Sequence, residues 1–257
     1  MDARNPLVIA AGLVALFALR VAGAGQFTIA PLRMDFAAAT TTAALTVRNE
    51  EAAPVVVQAQ GLAWSQEGGQ DTLVPSRDLL ISPAVFTMPP GGSQLVRVAL
   101  RREPDPSREL SYRITLQEVP QPAAPGFTGL QVALRLSVPI FVAPTAPAAP
   151  GLVWSSTVGP DGRMSVIARN DGTAHARISR FSVKTQDGSA TLLEQPGLAY
   201  VLPGASRQWS VENNTGAKAA TLSTAGAGTS PAPGKYRLEG TADQGTFAME
   251  LGVVAPD

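Results

Sequence analysis

The chain is written in short alternating segments. In "GLQVALRLSVPIF", Gly129–Phe141, the residues Leu130, Val132, Leu134, Leu136, Val138 and Ile140 alternate with Gln131, Ala133, Arg135, Ser137, Pro139 and Phe141. A period of two puts these aliphatic side chains on one face of a strand. Strands usually run about 5 to 6 residues, whereas this one, at roughly 3.3 Å per residue, would extend roughly 40 Å. That is a longer apolar row than one small sandwich covers.

The same pattern recurs on a smaller scale. "LTVRNEEAAPVVVQAQGLAW" places Leu45 and Val47 on one face, breaks from Asn49 to Pro54 and resumes over Val55–Trp64. "MPPGGSQLVRVAL" is a turn, then a strand in which Val96, Val98 and Leu100 face away from Leu95, Arg97 and Ala99. In "APLRMDF", Leu32, Met34 and Phe36 form an inward row and Arg33 points the other way. In "SYRITLQEVP", Tyr112, Ile114 and Leu116 form the row and Arg113 opposes it. About seven such strands in about 120 residues predict an immunoglobulin-like sandwich.

"APTAPAAP", Ala143–Pro150, carries Pro144, Pro147 and Pro150. Such a run is excluded from a central strand and favours an extended connector. Beyond it, "MSVIARNDGTAHARISRFSV" repeats the strand, Asn-centred turn and strand of "LTVRNEEAAPVVVQA", and "PGASRQWSV" repeats "PGGSQLVRV". A second, related sandwich follows, giving domains over 25–146 and 147–257 after a leader of 1–24. Asn213–Pro233, rich in Gly, Ala, Ser and Thr, reads as a long mobile loop. No helical period appears outside the leader, so the fold class is all-β, with two immunoglobulin-like sandwiches.

Composition narrows the chemistry. With 257 residues, 45% hydrophobic and 16% charged, the chain can fill two cores. Twenty Lys and Arg against 20 Asp and Glu leave no global field for nucleic acid, so anion recognition is local. Arg4, the uncharged run Leu7–Leu19 and Ala22-Gly23-Ala24 have the form of a secretory signal, and the run is shorter than the roughly 20 residues of a membrane span. The absence of cysteine excludes disulfides, zinc-thiolate sites and thiol catalysis. His175 is the single histidine, with no partners at the spacing of a metal site or triad, and is read as structural. "EGGQD" and "PPGGS" lack the lysine of a phosphate loop and are read as turns. Trp64, Trp154 and Trp209 sit in apolar strands and are read as core. No catalytic, metal or cofactor residue is assigned. For Arg33 and Arg113 the ordinary account is a solvated outer-face charge, yet arginine also grips carboxylates bidentately.

Five pieces in a fixed order, "IAPLRMDF", "TVRNEEAAP", "MPPGGSQLVRV", "SYRITLQEVP" and "LQVALRLSVPIF", resemble the periplasmic chaperones of the chaperone–usher pilus pathway, the PapD-like family. The resemblance runs over essentially the whole exported length and is strongest from Phe27 to Val142. It implies two sandwiches set at an angle with a cleft between them, and a periplasmic protein that is not an enzyme. Its clients would be pilin subunits, incomplete immunoglobulin-like or spore-coat-U-like domains lacking a final strand. The chaperone lends them its own strand and passes them to an outer-membrane usher. By this resemblance Leu130, Val132, Leu134, Leu136 and Val138 enter the client's groove, and the client-free protein self-associates. In the better-known branch two basic residues hold the client's terminal carboxylate. Arg33 matches one, but Pro139 stands at the other, and Ala143 stands in place of an interdomain arginine. These departures match the archaic branch, in which the arginine of "SYRL" is the anchor and "YSIPLF" is matched by Ser137, Val138 and Pro139. The resemblance thus ranks Arg113 above Arg33 and leaves open whether one or both act. Two other readings remain at this point: a secreted two-domain adhesin or pilus component, and a carbohydrate-binding module with an outward aromatic platform.

Overall fold

The computed structural model describes residues 27–120, 132–158, 164–210 and 234–254. Among these residues ten strands make the first domain: β1 Phe27–Ala30, β2 Met34–Phe36, β3 Thr42–Asn49, β4 Val55–Glu67, β5 Gln70–Pro75, β6 Leu79–Ser82, β7 Val85–Met88, β8 Ser93–Leu100, β9 Leu110–Glu118 and β10 Arg135–Val142. Eight make the second: β11 Leu152–Val158, β12 Met164–Asn170, β13 Ala176–Thr185, β14 Thr191–Gln195, β15 Ala199–Val201, β16 Ser206–Ser210, β17 Gly234–Ala242 and β18 Gly245–Val254. The described residues contain no helix. The leader, the loop Gln121–Gly129 with Leu130, and the expected mobile loop Asn213–Pro233 lie outside them.

In the first domain one sheet runs β1-β3-β8-β6, and the other runs β2-β10-β9-β4-β5 with β7 also on β4. The rows read from the sequence close between these sheets. Leu45 and Val47 from β3, Val96 and Val98 from β8, and Tyr112, Ile114 and Leu116 from β9 pack into one core. Alternation does this because each strand is half-buried, so its apolar period must match the pleat. Leu32 departs from the expected inward row. It is 76% exposed, because the chain turns after β1 and the inward row resumes only at Met34 and Phe36.

The second domain has its own core around Met164, Val166, Ile178, Phe181, Val183 and Leu238. Its layers are joined into one hydrogen-bonded sheet, β14-β13-β17-β18-β11-β12-β16, because β18, paired antiparallel with β17 from Gly245 to Val253, meets β11 in parallel on its other edge at Ser156–Thr157.

The sequence echo between the halves is a structural equivalence. Asn49 and Asn170 each end a strand and are fully buried. Asn49 Nδ2 donates to Ala53 O, Met88 O and Pro89 O at 2.8, 3.2 and 3.1 Å. Asn170 Nδ2 donates to Ala174 O and Val201 O at 2.8 and 2.9 Å. Asn49 N–H bonds Gly92 O, and Asn170 N–H bonds Ala205 O, each at 2.9 Å. The two partner turns are alike: Gly91 and Gly204 have φ of 67° and 70°, a conformation in which only glycine is unstrained. A buried amide must fill its hydrogen bonds. Each asparagine does so by pinning its own turn to the turn before the β8 or β16 strand.

Candidate functional site

The site begins with β10. Val138, Ile140 and Val142 are buried in the first domain's own core. Burial of each is worth roughly 1.5–3 kcal/mol, which fixes this end of the strand. Leu136 and Leu134 pack only partly against that core, and Val132 is 57% exposed. The apolar row therefore climbs out of the core toward its amino-terminal end.

The described strand starts at Arg135, later than the alternation predicts. Its antiparallel partner β9 ends at Glu118, and a strand needs a partner to saturate its backbone. Glu118 N–H donates to Leu134 O at 2.9 Å, and the register continues unbroken from Arg135↔Gln117 to Val142↔Leu110. The backbone groups of Leu136, Val138 and Ile140 thus turn toward β9, and those of Arg135, Ser137 and Pro139 turn to the opposite edge. On that edge β2 pairs in parallel with Ile140–Val142 alone. Among the described residues the edge from Arg135 to Pro139 has no strand partner.

Arg113 marks the inner end of this edge. It lies opposite Pro139 on β10 and Leu62 on β4, on the outer face of the sheet. Its guanidinium sits 3.8 Å over the Trp64 ring, a cation–π contact. Burial pushes its pKa below the ordinary value, with Asp71 opposing that shift and Arg207 adding to it. Among the described residues no hydrogen bond or ion pair engages this guanidinium. Around it lies a cleft of about 390 Å³, lined by Leu32, Asp71, Arg113, Ser137, Pro139, Leu198, Tyr200 and Arg207.

Arg33 is in a different state. It meets Asp35 at 2.9 Å and Asp243 of the second domain at 3.4 Å, and Arg177 meets the same Asp243 at 2.9 Å. Partial burial works against the Arg33 charge, yet Asp35, Tyr200 and Asp243 together hold its pKa above the ordinary value. Two arginines and two aspartates form a neutral cluster. Arg33 and Arg113 are thus not equivalent: one is neutralised, the other is not.

The second domain fixes one wall of the cleft through a small core of Trp64, Phe141, Tyr200 and Leu202. Trp64 is therefore interface, not sandwich core as the sequence suggests. Alternate residues of β4 from Val55 to Ala63 face the sandwich core, and Trp64 lies on the other face, where the second domain covers it. His175, just before β13, is structural as expected. Its ring stacks on Phe141 at 3.6 Å, and Nδ1 lies 2.8 Å from Glu109 Oε1. Gln66 Nε2 bonds Tyr200 O at 2.9 Å, and Leu202 N–H bonds Gln66 Oε1 at 2.9 Å. Arg108 also donates to Pro203 O across this interface.

Asp71 and Arg207 carry no strand-period signal, and sequence reasoning did not reach them. The one local hint is that Arg207 stands in "PGASRQWSV" where its counterpart "PGGSQLVRV" has the neutral Gln94. A larger cavity of about 620 Å³ lies on the second domain beside Arg180, Lys184 and Glu239. Lys184 and Glu239 pair there at 3.0 Å, and Arg180 faces Glu194 in the same lining, so its described charges balance, unlike those of the cleft. Among the described residues no three His, Asp or Glu side chains converge to hold a metal.

Residues 26–148 match the family described as pili and flagellar-assembly chaperone, PapD N-terminal domain. Solved structures are similar across nearly the whole chain. A chaperone–tip adhesion subunit pre-assembly complex, CsuC–CsuE, from archaic chaperone–usher pili of Acinetobacter baumannii is 20% identical, with a TM-score of 0.63, covering 90% of this chain and 100% of that one. The Salmonella enterica SafA pilin in complex with the SafB chaperone gives 18% identity and a TM-score of 0.57, covering 88% and 97%. The E. coli chaperone DraB gives 19% and 0.54, covering 89% and 97%. A search of curated proteins found no match.

Proposed function

Through its first domain the chain belongs to the PapD-like family of pilus-assembly chaperones, and from that premise we propose that it is a non-enzymatic periplasmic chaperone that lends a strand to pilin subunits and passes them to an outer-membrane usher. The observation that carries the reading is the unpartnered edge Arg135–Pro139, whose side-chain row rises out of the core. An added strand gains backbone hydrogen bonds there, and pockets for alternate side chains give it specificity. The lent row runs Leu130, Val132, Leu134 and Leu136, with Val138 at its inner end in the chain's own core.

The client's terminal carboxylate goes to Arg113, with Arg33 in support at most. Arg33 already carries two carboxylates. A client strand that fills the open edge and ends at Arg113 runs parallel to β10, in the direction of β2 and end to end with it. A fixed cation at that end sets register, since a slip of two residues preserves which face is apolar. Similarity to chaperones whose structures hold a pilin or a tip subunit supports this choice of client class.

The experiment is co-expression with candidate pilins. Leu134→Arg should abolish recovery of the client while the chaperone stays folded, because the arginine would be buried unpaired only in the complex. Ala133→Arg, on the other face, should do less. Equal loss at both positions, or unfolding by Leu134→Arg, overturns the reading.

A further inference from the structure

We propose that Arg207 of the second domain is a second cation for the client's terminal carboxylate, and that Asp71 holds its place in the cleft until the client arrives. The inference rests on the anchor reading above and adds two residues from elements far apart in sequence.

Charge in the cleft carries it. Among the described residues Asp71, Arg113 and Arg207 are the charged ones lining it, so two cations face one anion. The neighbouring Arg33, Arg177, Asp35 and Asp243 balance among themselves. The cleft is therefore one anion short, and a single carboxylate completes it.

Geometry says which groups receive that carboxylate. Arg207 Nη1 lies 3.7 Å from Asp71 Oδ1, well beyond the roughly 2.7–2.9 Å of a charge-assisted hydrogen bond. The pair is loose, and among the described residues Arg207 has no other ion pair. Asp71 Oδ1 accepts instead from Gln66 Nε2 at 2.9 Å, and the same Gln66 is bonded to Tyr200 O and Leu202 N–H. Asp71 is thus fixed near both arginines without a tight bond to Arg207. An incoming carboxylate that binds both forks is repelled by Asp71 and, in gripping Arg113 and Arg207 together, ties one domain to the other.

The test measures affinity for a short synthetic peptide of alternating valine and threonine, once with a free terminal carboxylate and once amidated, on the intact protein and its variants. The parent should prefer the carboxylate form by about tenfold or more. Arg207→Ala should cut that preference to about threefold with the amide's affinity unchanged, and Arg207→Lys should restore part of it, as the ammonium keeps the charge and loses the fork. Asp71→Asn, which can still accept from Gln66, should tighten the carboxylate peptide by about threefold and leave the amide alone. Added salt should shrink all these differences. An undiminished preference in Arg207→Ala, an equal loss for both peptides, or no gain in Asp71→Asn overturns the proposal. If Arg113→Ala erases the preference while Arg207→Ala keeps it, the anchor survives and Arg207 has no part. If the parent shows no preference, the anchor reading itself falls, and this inference with it.

Discussion

The two domains end alike and close differently. β10 and β18 each pair antiparallel with the strand before them and then, for two or three residues at the far end, in parallel with a strand from the start of their domain. Ahead of that parallel contact both edges diverge from the neighbouring strand. In the second domain aromatic rings fill the opening: Trp154 of β11 lies 5.4 Å from Phe247 of β18 and 6.0 Å from Trp209, and Phe181 packs 4.8 Å from Trp209. In the first domain the corresponding place holds Leu134 and Leu136, partly covered, and Val132, exposed. The same strand topology is sealed by its own side chains in one case and left partly uncovered in the other. An unsealed edge of this kind invites pairing; at its end stands Arg113, whereas Lys235, at the matching end of β17, is already paired with Glu250 at 2.8 Å.

The sharpest way to break this comparison is at the inner end of β10. Val138→Arg places a charge in the chain's own core, at a cost of several kcal/mol, and should unfold the first domain, whereas Leu134→Arg should not. Circular dichroism during heating distinguishes them, and a Val138→Arg protein melting with the parent would remove the distinction between the two ends of the strand. Next in size are the buried asparagines. Asn49→Ala and Asn170→Ala each strand buried carbonyls and should cost about 3 kcal/mol, by similar amounts in urea unfolding. A loss at one position alone would end the equivalence of the two turns.

Opening the sealed domain is a smaller change. Trp154→Ala should cost about 2 kcal/mol, since the ring is only partly buried, and should give the second domain an adhesive edge. Sedimentation of Trp154→Ala in a Leu134→Arg background should then show concentration-dependent association that Leu134→Arg alone lacks. Absence of that association would mean that the aromatic cluster stabilises without sealing. The smallest expected stability effect is at Arg113. Arg113→Ala loses a cation–π contact worth about 1 kcal/mol but also relieves a partly buried charge, so the melting point should barely move. Client affinity should nonetheless fall by about one to two orders of magnitude. A large drop in melting point would recast Arg113 as a structural residue.

Strand faces were legible in the sequence because alternation is a local consequence of the pleat. Val96, Val98 and Leu100 separate from Leu95, and Tyr112, Ile114 and Leu116 separate from Arg113, on that ground alone. The repeated asparagine turns were legible too, since each turn is built from a few contiguous residues and a glycine in a left-handed conformation. Arg113 itself emerged as an outward cation in an apolar strand, which is also a local property.

What the sequence could not determine is what stands across from each face. Alternation gave "GLQVALRLSVPIF" as one long strand, but a strand extends only as far as its partner, and β9 ends at Glu118. Trp64 looked like core because period two says a ring is covered without saying by what, and the second domain covers it. Arg33 and Arg113 looked alike as outward arginines, until the fold turned the nearby Asp35 onto Arg33 and brought Asp243, far along the chain, to the same cluster. Asp71 and Arg207 meet in the cleft from two domains. Pairing, burial and charge balance depend on groups distant in sequence, so only the tertiary structure, which alone sets those distances, could decide them.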